Sequence, residues 1–141
     1  MGKRKMKHEI LIYNKTRRRV PEKLIKSVIL KALQFLKLKQ PVELAVLFLG
    51  QAEIRKLNKV WRKKNEVPDE LSFGFNSRQM AAFAKSFPNM LSLGEIIINA
   101  EKISDKNRLP KILIHSLLHL LGYSHGRMGN LEKEIFKHLN I

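Results

Sequence analysis

The chain reads as a single α/β (α+β) domain, residues 1–141, in which a small four-stranded mixed sheet packs against about five helices, with a metal site on a helix of the C-terminal half and the turn after it. Two observations predict the fold and a third places the site. Segments of helical and of strand hydrophobic period follow one another in the order β-α-β-α-β-β-α-α, which layers helices on a sheet. A length of 141 residues is enough to bury about two-thirds of the unfolded surface in one core. Three of the five histidines fall within the eleven residues His115–His125.

The elements follow from local pattern. His8–Tyr13 (HEILIY) is a short apolar strand, preceded by a flexible basic arm over residues 1–7 and followed by a basic loop. Pro21 suits the first turn of a helix, and from Glu22 to about Lys37 the residues Leu24, Ile25, Val28, Ile29, Ala32, Leu33 and Leu36 recur at helical spacing. Val42–Leu49 is a central strand. Gln51 to about Lys64 returns to helical period, with Ile54, Leu57 and Trp61 inward and a separate basic stripe of Arg55, Lys59 and Arg62. Leu71–Phe75 alternates large and small residues as a strand near an edge. Ser77–Ser92 reads as an irregular surface excursion. Gly94–Asn99 has strong β-branched character, Pro110 opens the histidine helix, and Asn130–Leu139 closes the chain as a last helix.

Composition narrows the chemistry. With no cysteine there are no disulfides or thiolate metal sites, so any zinc must be held by histidine or carboxylate, and a reducing cytoplasm suits the chain. No apolar run approaches the ~18 to 20 residues that span a bilayer, and the basic N-terminus lacks a following signal-peptide core; a soluble, cytoplasmic protein without a membrane is expected. The net charge is +16, and it is uneven. Residues 1–65 hold 19 Lys+Arg against 4 Asp+Glu, a net of +15, whereas residues 66–141 hold 9 against 8, a net of +1. Basic runs are often no more than solvated faces. An excess of this size on one half points to a polyanion, since neutralising phosphates releases condensed counterions.

Histidines four apart on a helix lie roughly 40° apart around the axis and about 6 Å apart along it, so His115 and His119 can reach one ion. Gly122 falls where the helix would end, and a glycine there takes the left-handed conformation freely, turning the chain so that His125 supplies a third nitrogen. Three imidazoles suit zinc and leave its fourth position to water, the arrangement of catalytic sites. The bland reading of a lone histidine is a hydrogen-bonded core residue. For three together in a run of Ile112, Leu113, Ile114, Leu117, Leu118, Leu120 and Leu121, burial would cost several kcal/mol unless one metal satisfied them all. His8 and His138 have no such company and read as ordinary surface residues.

The spacing H-x-x-x-H-x-x-G-x-x-H also occurs in metzincin proteases, where the residue after the first histidine is the general base Glu. Here it is Ser116, which cannot take a proton from zinc-bound water at neutral pH, and no Met-turn is recognisable, Met128 being too close to His125. The segment is instead similar to the signature H-G-x-L-H-L-x-G-Y-D-H of the YbeY family of bacterial endoribonucleases and ribosomal RNA maturation factors, matching at His115, Leu118, His119, Leu120, Gly122, Tyr123 and His125. Asn58-Lys59-Val60-Trp61-Arg62 resembles the family's N-x-x-(aromatic)-R, Asp69-Glu70-Leu71-Ser72-Phe73 its D-V-L-S-F, and Leu93-Gly94-Glu95-Ile96-Ile97-Ile98 its L-G-D-I-V-I. The resemblance spans about residues 8–140. The departures are Ser116 for Gly, Ser124 for Asp, Pro68 for Thr and Gly74 for Pro; Ser124, beside the third ligand, offers a hydroxyl where a carboxylate would orient an imidazole or a water.

The resemblance implies a zinc-dependent, single-strand-specific endoribonuclease acting on ribosomal RNA, in small-subunit 3′-end maturation and quality control, with RNA and the small ribosomal subunit as partners. It assigns the metal to His115, His119 and His125 and a functional role to Arg62, whose guanidinium can grip phosphate bidentately; a solvated surface arginine is the plainer alternative. Arg55, Lys59, Lys63, Arg17, Arg18 and Arg19 are the candidates for RNA backbone contacts. Zinc-bound hydroxide and the substrate's 2′-hydroxyl both stay open as nucleophile. Ser72 and Phe73 read as structural, Asn58 as a cap or brace or an RNA contact, and Trp61 as packing. The competing functions are a non-catalytic ribosome assembly factor with a structural zinc and, less favoured, a metalloprotease.

Overall fold

The computed structural model describes residues 7–61, 70–74, 90–102 and 107–141, without the side chains of Trp61, residues 70–74, Lys102 and His125. Its elements are β1 (Glu9–Asn14), α1 (Glu22–Leu36), β2 (Val42–Leu49), α2 (Gln51–Trp61), β3 (Glu70–Gly74), β4 (Leu91–Asn99), a 3-10 turn (Ala100–Lys102), α3 (Arg108–Leu120) and α4 (His125–Leu139). The sheet order is β1-β2-β4-β3. β1, β2 and β4 are parallel and β3 is antiparallel to β4, so the sheet is mixed as the alternating pattern implies. In place of about five helices, the described residues hold four α-helices and the short 3-10 turn. The arm at residues 1–6 and the excursion 77–89 lie outside the described residues.

The strands carry apolar residues on both faces because both faces are covered. On one face Ile10, Val42, Leu44, Val46, Phe48, Leu93, Ile96 and Ile98 pack with α1 (Ile25, Val28, Ile29, Ala32, Leu33), α3 (Leu109, Leu113, Ile114, Leu117, Leu118) and α4 (Met128, Ile135). On the other, Leu49 and Ile97 pack with Ile54, supported by Leu47 and Leu57, so among the described residues α2 covers that side. A register shift beside Glu43 and Leu44 skips Leu93, and Gly94, with φ 116°, takes the backbone conformation that this bulge requires.

Three boundaries move. β4 begins at Leu91, not Gly94, tied by Leu91 N–H to the Pro41 carbonyl at 2.8 Å. α3 begins at Arg108, two residues before the buried Pro110, whose missing N–H costs nothing in a first turn. α4 begins at His125, not Asn130: Gly126 and Gly129 are poor helix formers, but Met128, Leu131 and Ile135 give that segment an apolar stripe to bury, and packing overrides propensity.

His8 is no ordinary surface residue. It is half-buried, and its Nδ1 accepts the Val42 N–H at 2.9 Å, tying the start of β1 to the start of β2. Burial holds its imidazole below the ordinary value of 6.5. The unfolded chain therefore binds a proton at His8 at a higher pH than the folded one, and stability is full above pH about 6.5 and falls as the pH drops through the folded value. Urea midpoints measured from pH 8 to pH 5 are expected to decline more steeply for the wild type than for His8→Gln; equal slopes would refute this. His138 is exposed, with its ring 5.0 Å from that of Phe35.

Candidate metal centre

α3 and α4 form an antiparallel hairpin that builds the site. Along α3 the contacts advance from Lys111 to His115 while along α4 they retreat from Phe136 to Glu132. The Lys111 ammonium lies 5.8 Å from the Phe136 ring centroid, and His115 Nδ1 meets Glu132 Oε1 at 2.5 Å. Between the helices the chain turns on Gly122 as its sequence position demands. Gly122 has φ 87°, its N–H bonds the His119 carbonyl, and Tyr123 N–H bonds the Leu118 carbonyl, the paired closure of a Schellman motif. Ser124 takes the extended N-cap conformation, its carbonyl accepting from the Arg127 and Met128 amides; its hydroxyl makes no cap bond. Position 125 is the first of α4 and stands two turns before Glu132, on the same side of the helix backbone.

His115 and His119 are both exposed, on one face of α3, and the His115 side chain is 52% accessible. The expectation that burial forces these imidazoles onto a metal is therefore wrong: the apolar residues around them in sequence point into the core, and the histidines occupy the opposite, solvent-facing stripe. Donor chemistry carries the case in its place. Glu132, only 19% accessible, engages Nδ1 of His115, which fixes the tautomer and leaves Nε2 as an open donor, the usual second partner of a metal-ligating histidine. Glu132 was not among the residues singled out by sequence. Its signal is a carboxylate two turns after His125 on an amphipathic segment, legible only once α4 is seen to begin at His125. The side chain of His125 lies outside the described residues, and among the described residues no three potential ligands converge.

Ser116 is fully buried, so the position that carries a metzincin's base is turned into the core here. Arg55 and Lys59 are exposed on α2, which covers the other face of the sheet, so the sheet layer separates them from the histidines. Asn58 is buried at 2% accessibility and engaged with a partner, which makes it a brace. Arg17, Arg18 and Arg19 are exposed on the loop after β1, at the opposite edge of the sheet from β3, three strand spacings or about 14 Å away. That loop is held by Asn14, whose Oδ1 accepts from the Thr16 amide and hydroxyl and whose Nδ2 donates to the Arg18 carbonyl. Among the described residues, the predicted RNA contacts thus fall on α2 and on the loop after β1. Arg62 and Lys63 lie outside the described residues, in the segment joining α2 to β3, the edge strand against which α3 packs.

A model of the YbeY endoribonuclease family matches residues 11–140. The chain belongs to the YbeY family. An Endoribonuclease YbeY of Thermodesulfovibrio yellowstonii is 34% identical over 127 aligned positions, covering 77% of this chain and 76% of the relative. One from Listeria monocytogenes serotype 4b is 30% identical with 90% and 92% covered. The solution structure of TM1509 from Thermotoga maritima matches with a TM-score of 0.53 at 20% identity, over 93% of this chain and 91% of that one, a likeness of fold. Within the YbeY signature, Ser116 is a substitution inside the core, while Ser124 sits exposed at the start of α4.

If Glu132 fixes a metal-binding His115, Glu132→Gln is expected to weaken zinc affinity by roughly ten- to a hundredfold without unfolding the chain. Competition against a chromophoric chelator reads this directly; an unchanged affinity would remove Glu132 from the site.

Proposed function

We propose that the chain is a zinc-dependent, single-strand-specific endoribonuclease of the cytoplasm that matures ribosomal RNA, at the small-subunit 3′ end and in ribosome quality control. The observation that carries this reading is the His115–Glu132 pair with His119 one turn along the same exposed face, in a chain of the YbeY family. His115, His119 and His125 would hold one zinc ion. Zinc supplies Lewis-acid polarisation of a phosphoryl oxygen. Glu132 holds the Nδ1 proton of His115 so that Nε2 points outward. Arg62, which lies in sequence between α2 and β3, offsets negative charge growing on the phosphate in the transition state. Arg55, Lys59 and Lys63 bind backbone phosphates on the approach, and the Asn14-braced Arg17–Arg19 loop is an outlying electrostatic anchor.

The assembly-factor reading with a structural zinc is disfavoured by the exposure of both histidines. A structural site is closed and contributes to folding, whereas here, among the described residues, the core of α1, α3, α4 and the sheet packs without His115 or His119. Chelated protein is expected to stay folded, lose cleavage of short single-stranded RNA, and regain it with one equivalent of zinc. Retention of full cleavage after chelation would refute zinc dependence.

A further inference from the structure

β1 is an edge strand, and among the described residues nothing pairs with its outer side. Along these six residues of strand, about 20 Å, alternate backbone amides and carbonyls face outward without a strand partner among the described residues. Alongside runs a groove between β1 and α1. A cavity of about 580 Å³ lined by Lys7, His8, Leu30, Leu33, Gln34, Lys37 and Leu38 adjoins one of about 220 Å³ that shares Lys7, His8 and Leu30 and adds Ile10, Leu11 and Lys26. The floor is apolar, and exposed cations stand along the rim at Lys7, Lys26 and Lys37, with Glu9 the one carboxylate lining it. At the far end of β1 the rim continues into Lys15 and Arg17–Arg19.

We propose that the open edge of β1 and this groove dock an extended acidic segment of a protein partner, which adds as a further strand with apolar side chains on the leucine floor and carboxylates on the lysine rim. Strand addition takes its affinity from main-chain hydrogen bonds and its specificity from alternate side chains, and this edge offers both. The cations select an acidic occupant. RNA fits less well, because no aromatic ring lines the groove for bases to stack on and nucleic acid gains nothing from a strand edge. The chain's own N-terminal residues Lys3, Arg4 and Lys5 carry the same sign as the rim and are poor occupants. The proposal does not depend on the nuclease reading.

A blocked peptide of four Val-Glu repeats, titrated onto the full chain, is expected to bind saturably and to slow amide exchange within Glu9–Asn14. The exposed double substitution Lys26→Glu, Lys37→Glu is expected to weaken it about tenfold while leaving the circular dichroism spectrum and RNA cleavage unchanged. No saturable binding, equal binding of a Val-Lys peptide, or unchanged affinity in the double variant would overturn the proposal. So would a single-stranded RNA that protects the same amides and displaces the peptide, or nuclear Overhauser contacts placing residues 1–6 against Leu30 and Leu33.

Discussion

Arg62→Ala is expected to leave the fold and the zinc content intact and to lower cleavage of single-stranded RNA by at least about a hundredfold, the loss seen when a fixed donor to transition-state charge is removed. A histidine-held zinc would supply Lewis-acid charge to the phosphate. The remaining equatorial charge needs a second cation in a fixed place, and a guanidinium meets two phosphoryl oxygens at once. Arg62→Lys is expected to recover only part of the rate, since an ammonium acts as a point charge. The readout is single-turnover cleavage with metal analysis of the same samples. Cleavage within a few-fold of wild type would return Arg62 to the solvated surface.

His119→Ala is expected to abolish cleavage and stoichiometric zinc binding while changing folding stability by no more than about 0.5 kcal/mol, the range for exposed side chains outside the core. The same residue separates the enzyme from an assembly factor with a structural zinc, because a folding metal would make the variant unfold. Exposure of His119 on α3, with Leu117 and Leu118 carrying the burial on the other side, is the reason for expecting a folded variant. Urea unfolding of wild type and variant, each with and without chelator, distinguishes the two outcomes.

Periodicity made most of the fold legible. Val42–Leu49 is apolar on both sides because α1, α3 and α2 cover both faces, and the alternation after Leu71 marks the antiparallel edge strand β3, observed at Glu70–Gly74. Gly122 ended α3 where its conformational freedom is needed. What stayed illegible depends on contacts distant in sequence. Glu132 meets His115 only because two helices fold back on each other, and the separation of Arg55 and Lys59 from the histidines depends on which face of the sheet α2 covers. The burial argument for the histidines failed for a simpler reason. Apolar neighbours in sequence lie around the whole helix, and only side-chain direction decides which stripe meets the core.

The most direct test of the central claim is cleavage of a short single-stranded RNA, with the same sequence annealed to its complement as control, by chain whose zinc content is measured in the same preparation. One zinc per chain, cleavage of the single strand and an intact duplex are the predicted result. Stoichiometric zinc with neither RNA cut would contradict it.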